Sequence, residues 1–208
     1  MAREPVEARQ TAILEATCRV LIERGFAALR IQDVARQLGV STGLIHYHFE
    51  SKEQLLEAAL RLAGQTDLDQ LRADVAEARG PVAKLDAYFQ AYCPKGAEPG
   101  WLLWIDAWGE SLRRPELRRI SQEFDEASVQ VVEDVIGLGV AEGTFTSRDK
   151  HASAWRISAL VDGLAVQMCV HDSVVDGITM LEWARSAAAS ELGFDVKRFT
   201  RRRASRVA

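Results

Sequence analysis

Apolar residues recur three or four positions apart along almost the whole chain, and no stretch alternates apolar with polar side chains. The first pattern gives a helix one apolar face, whereas a half-buried strand needs the second. Only five prolines interrupt 208 residues, so the chain reads as all-α. With 48% apolar and 27% charged residues it has material for a sizeable core. No run of about 18 uncharged apolar residues could span a bilayer, and Met1 to Pro5 has no apolar leader, so the expected setting is the cytoplasm, with no membrane partner.

Breakers divide the pattern into about nine helices. Gly25 fits the end of a first helix from about Glu7, because glycine reaches positive φ without steric cost. Ile31, Val34, Ala35 and Leu38 mark a short second helix closed by Gly39, Ser41 caps a third, and Lys52 opens a much longer fourth reaching towards Arg79. Gly80-Pro81 makes a turn. Helices of about 82–92, 101–112, 116–141, 150–171 and 178–192 follow, with a Pro/Gly loop from Cys93 to Gly100. Two units emerge, residues 1–50 with short helices and 51–196 as a bundle of longer ones. Residues 197–208 form a basic tail, expected to be disordered.

Charge is unevenly laid out. Residues 1–53 balance seven basic against seven acidic side chains, residues 54–196 hold thirteen basic against twenty-three acidic, and 197–208 hold six basic and none acidic. The net charge of −4 therefore says little about whether one part meets a polyanion. Three cysteines with no C-x-x-C pair suggest neither a disulfide framework nor a zinc ribbon. Cys93 has only Lys95 near it to favour a thiolate, which argues against oxidant sensing.

The segment Ile31 to Phe49 carries the chemistry. A helix, a tight glycine turn and a second helix make a helix-turn-helix. At about 100° per residue, Ile45, His48 and Phe49 share an arc in which Ile45 and Phe49 anchor the helix, while Thr42, Gly43, His46 and Tyr47 face outward. That outward arc suits a DNA major groove about 12 Å wide. Thr42 and Tyr47 offer hydroxyls and His46 a ring N–H; Gly43 allows close backbone approach, and Leu44 at the edge can meet a thymine methyl. Lys52 adds a cation to the amides opening the fourth helix, a natural phosphate contact. The candidate DNA-binding set is completed by Ser41 and His48. His46 and His48 diverge by about 200° on a helix and cannot share a metal ion there. No metal site, cofactor site, phosphate loop or nucleophile elbow is recognised, so an enzyme is not expected.

The ordered run Leu38-Gly39-Val40-Ser41-Thr42-Gly43-Leu44-Ile45-His46-Tyr47-His48-Phe49-Glu50-Ser51-Lys52-Glu53-Gln54-Leu55 resembles the signature of tetracycline-repressor (TetR) family regulators, with Gly25-Phe26 and Asp33-Val34-Ala35 also in place. Trp101-Leu102-Leu103-Trp104-Ile105-Asp106, Pro115-Glu116-Leu117-Arg118 and Ala159 to Ala165 resemble BetI-like members. The chain departs at Arg30, where the family often has threonine, and at His46, where it usually has an aromatic. Arg30 forgoes a side-chain cap but offers a guanidinium to DNA. The resemblance implies a three-helix DNA-binding domain followed by a ligand-binding and dimerisation bundle. It also implies a homodimeric repressor on double-stranded DNA, its two recognition helices about 34–36 Å apart on a palindromic operator. A small-molecule effector would release it by shifting the fourth helix. An all-α interaction module whose helix-turn-helix does not read DNA is the alternative.

Trp101, Trp104 and Trp108 stand at i, i+3 and i+7. They read either as core or as the aromatic wall of an effector pocket for a cationic or flat aromatic compound, completed by Tyr88, Phe89, Tyr92, Phe124 and Trp155. Asp162 interrupts an apolar run and needs a partner, on a neighbouring helix or on a ligand cation. Ile157, Val161, Leu164 and Met168 stripe the eighth helix; Ala184, Ala187 and Ala188 stripe the ninth. The resemblance places these two helices in a dimer seam; packing within one chain is the other reading.

Overall fold

The computed structural model describes residues 6–96, 98–171 and 175–199. Among them are nine α-helices and one 3-10 helix, with no strand: α1 (Val6–Ala28), α2 (Ile31–Leu38), α3 (Thr42–His48), α4 (Lys52–Glu77), α5 (Pro81–Tyr92), α6 (Pro99–Ser111), α7 (Pro115–Ala141), α8 (Lys150–His171), α9 (Gly177–Glu191) and the 3-10 turn Val196–Phe199. The all-α expectation holds. The fourth helix stops at Glu77, short of Arg79.

By packing, the chain divides into two compact units, residues 1–67 with 99–124 and residues 68–98 with 125–208. This division is a different quantity from the sequence break at residue 50, since α6 and the first parts of α4 and α7 group with the short helices. In the first unit α1 packs on α2 and on α6, and α2 on α3. Helices of 8 and 7 residues, as α2 and α3 are, are too short to persist in water alone. Val34, Ile45 and Phe49 hold them: the first two are fully buried and Phe49 is 4% exposed. Each such side chain contributes about 1.5–3 kcal/mol on burial, enough to outweigh the weak local preference. Gly25 breaks α1 as its type suggested (φ 78, ψ 164), but the chain then makes one more turn that buries Phe26.

In the second unit α9 packs on α8, on α5 and on the 3-10 turn. Asp176 caps α9 by accepting from the Thr179 amide at 2.7 Å. Small residues let α8 and α9 approach closely within the single chain. Ile157, Val161, Ala184 and Ala188 are buried inside the single chain, and Leu164, Met168 and Ala187 are half-buried. The exposed apolar side chains of the two helices are Trp155, Leu160, Val170, Ile178 and Trp183. The tail expectation also shifts. Phe199 is buried against Phe89 and Phe194, with the Arg185 guanidinium 5.7 Å over its ring, so the ordered chain continues past residue 197. Residues 200–208 of that expected tail lie outside the described residues.

Candidate nucleic-acid interface and effector site

Local chemistry sets the angle between α2 and α3. Gly39 closes α2 in the left-handed region (φ 67, ψ 34), where its amide and that of Val40 return to the Arg36 and Ala35 carbonyls. Ser41 then starts α3, its hydroxyl accepting from the Leu44 amide at 3.3 Å. Ile45 and Phe49 point into the core. Thr42, Gly43, His46 and Tyr47 are exposed, Tyr47 at 75%, while Leu44 and His48 are half-buried. The Tyr47 ring meets the edge of His48 at 5.1 Å, which steadies a side chain with little other support. A Cβ on Gly43 would touch nothing closer than the Ser41 hydroxyl at 3.7 Å, so the fold itself does not require glycine there.

Arg30 is exposed in an extended conformation (φ −123, ψ 144) and makes no side-chain cap for α2. Asp33, nearly buried, is paired with Arg36 at 3.0 Å and Arg24 at 3.7 Å and braces α2 against α1. Lys52 is half-buried, and its ammonium donates to the Ala27 carbonyl at 3.4 Å. That grip on the last turn of α1 was not foreseen from the sequence.

The nine candidate effector residues fall into two sets. In the first unit Trp101 meets Trp108 edge-on at 6.1 Å, and Trp104 meets Phe124 at 6.0 Å. Trp104 Nε1 donates to Asp67 at 2.9 Å, a partner 37 positions away that local pattern could not name. Asp67 is exposed as a residue, yet partial enclosure of its carboxyl raises its pKa, and the Trp104 donation opposes that rise. Phe124 fills a notch at Gly64, where a Cβ would stand 2.5 Å from the ring, so it is a packing residue of α4 and α7. The Trp108 indole N–H is buried without a partner.

In the second unit Tyr88 is fully buried, stacked on Tyr92 at 5.2 Å, and its hydroxyl donates to Ser158 at 3.3 Å. Burial pushes both phenols well above their usual pKa. Phe89 faces Tyr88 and Phe199 in the core, whereas Trp155 is exposed beside His151. Asp162 is the unusual group. Burial, then the charge of Asp125, lift its pKa to about 7 against a hydrogen bond from Tyr92. Its Oδ1 is buried with no partner. The neighbouring-helix partner weighed for Asp162 is therefore present as Tyr92 on α5, and it satisfies only part of the carboxylate. Cys93 is buried too, and burial pushes its thiol up to about 12 against the nearby charge of Arg185.

Two family models match. Residues 13–59 match the tetR family of bacterial regulatory proteins, and residues 81–193 match the C-terminal region of BetI-type transcriptional repressors. The chain belongs to the TetR family, BetI type. One relative, the HTH-type transcriptional regulator BetI of Paraburkholderia phytofirmans, is 31% identical over 119 residues. That match covers 55% of this chain and 60% of the relative, so the chain spans less than two thirds of the relative's length. A transcriptional regulator from Saccharomonospora viridis, solved in complex with choline, is similar at a TM-score of 0.81 and 26% identity, over 89% of this chain and 98% of that one. The regulator FadR of Bacillus subtilis, solved with stearoyl-CoA, is 19% identical at a TM-score of 0.67 over 88% and 97%, and shares the fold. No helix among the described residues is long and apolar enough to cross a membrane.

Proposed function

We propose that this TetR-family protein is a cytoplasmic, ligand-responsive repressor that binds a palindromic DNA operator as a homodimer and lets go when a small molecule binds. DNA reading belongs to residues 1–50 and effector binding and dimerisation to 51–196. One observation carries the reading. The polar face of α3 (Thr42, Gly43, His46, Tyr47) lies in solvent, while the residues anchoring that helix are buried on the other side. Arg30, Ser41, Leu44, His48 and Lys52 flank that face and complete the contact surface. With the first 53 residues uncharged overall, one copy would hold DNA weakly, and pairing supplies affinity through effective concentration.

The exposed apolar side chains Leu160 and Val170 of α8, with Ile178 and Trp183 of α9, support pairing of two copies across these helices. For the effector, stacked Tyr88 and Tyr92 beside a carboxylate with one unpartnered buried oxygen favour a small cation, which aromatic faces and a carboxylate both attract. The choline held by the Saccharomonospora relative makes choline a suitable first probe.

The test is selection of duplexes from a random pool, followed by binding of the selected duplex across a salt series. A repressor selects one palindrome, and its affinity falls steeply as salt rises, because each neutralised phosphate releases counterions. Absence of any preferred sequence at low salt would leave only the interaction-module alternative.

A further inference from the structure

The helical hydrogen bonding of α1 breaks at Gly25, and a break leaves the next amide without its acceptor. That amide, on Phe26, donates to Asp106 Oδ2 at 2.7 Å, reaching a carboxylate 80 positions away on α6. The Leu29 amide returns to the Gly25 carbonyl at 3.2 Å, so Gly25 stands where a helix N-cap would, with no side chain to do the capping. Asp106 supplies the missing acceptor from another helix, and its negative charge meets the positive end of the aligned peptide dipoles. The two positions fit as a pair, since a Cβ on Gly25 would stand 2.9 Å from Asp106 Oδ2. Lys52 of α4 takes the Ala27 carbonyl in the same turn. The turn is thus held by its amide from α6 and by its carbonyl from α4, and α2 begins at Ile31, immediately beyond it.

We infer that Asp106 is a positioning residue: it caps the last turn of α1 from α6 and fixes the mount on which α2 and α3 are held. Asp106 touches no base; it acts through Phe26 and the turn that leads into α2. The consequence for DNA rests on the reading role proposed for α3, whereas the cap itself does not.

The experiment uses the full chain with Asp106→Ala, Asp106→Asn, Gly25→Ala and the double variant Gly25→Ala/Asp106→Ala. Amide hydrogen exchange is followed by mass spectrometry in residues 22–30, 31–48 and, for reference, 150–171. Affinity is measured for the duplex that the wild type selects from a random pool. With Asp106→Ala, exchange at 22–30 speeds up about tenfold or more, the size expected for losing a hydrogen bond to a charged group. Exchange at 31–48 rises with it, while 150–171 stays unchanged. Affinity for the selected duplex falls about five- to tenfold with an unchanged salt slope, because no phosphate contact has been removed. Asp106→Asn, whose amide oxygen still accepts, stays within about threefold of wild type in every readout. The double variant loses less than the two single losses combined, because the added Cβ no longer meets a carboxylate. Unchanged exchange at 22–30 in Asp106→Ala, damage from Asp106→Asn equal to that from alanine, or strict additivity in the double variant each overturns the inference. If Asp106→Ala does not fold, Asp106→Ser, whose shorter hydroxyl cannot reach the Phe26 amide, takes its place: faster exchange at 22–30 upholds the cap and unchanged exchange overturns it. Failure of the wild type to select any sequence refutes the DNA-reading proposal alone and leaves exchange to judge the cap.

Discussion

Replacing Asp162 by Asn makes the chain more stable at neutral pH, by an amount that grows with pH. The folded chain keeps a proton on Asp162 up to about pH 7, whereas an unfolded aspartate gives it up near its ordinary value of 3.8. A raised folded-state pKa stabilises the fold fully below the unfolded value; that stabilisation drains away as pH rises and is gone once pH passes the folded value. A gap of roughly three pKa units corresponds to a loss on the order of 4 kcal/mol across that window, of which about 3 kcal/mol falls between pH 5 and 8. Asparagine is nearly isosteric, can still accept from Tyr92 and carries no charge to be repelled by Asp125. Urea unfolding monitored by tryptophan fluorescence at pH 5, 6, 7 and 8, at one protein concentration, gives the stability of both proteins. The variant should gain on the wild type steadily towards pH 7 and hold the gain above it. Parallel curves would show that Asp162 is not the buried acid described.

Choline affinity, measured by calorimetry, should rise between pH 6 and 8 in the wild type and lose that dependence in Asp162→Asn, since a cation favours the ionised carboxylate. Tyr47→Ala should leave the melting temperature nearly unchanged, because 75% of the residue is already exposed, and should weaken duplex binding about tenfold or more; retained affinity removes the contact. Gly43→Ala should stabilise α3 by up to about 1 kcal/mol in thermal unfolding while reducing DNA affinity, a split that only a close backbone approach to DNA explains. Leu160→Asp should convert dimer to monomer in light scattering without unfolding the chain; an unchanged mass places the pairing surface elsewhere.

The reading unit was legible because its determinants are local. Gly39, Ser41, Ile45 and Phe49 act within ten residues of one another, and each residue type performs the one task its chemistry suits. The packing of α8 on α9 was less legible, for the opposite reason. A stripe such as Ile157, Val161, Ala184 and Ala188 looks the same in sequence whether it meets a helix of its own chain or of a second copy, and its burial within this chain appears only in three dimensions. Long-range partners were equally silent. Asp106 reaches Phe26 across 80 positions and Trp104 reaches Asp67 across 37, with nothing in the intervening sequence to announce either pair. The rings of Trp101 and Trp108, and of Trp104 and Phe124, meet one another, yet periodicity on one helix could not say that Phe124 fills the notch at Gly64.

In α3 the side chains that hold the helix and those that face outward are different residues, and the glycine at position 43 is free of any packing duty. Sequence drift at Thr42, Gly43, His46 and Tyr47 therefore carries almost no folding penalty. A gene duplicate could acquire a new target site one substitution at a time, remaining a sound molecule at every step.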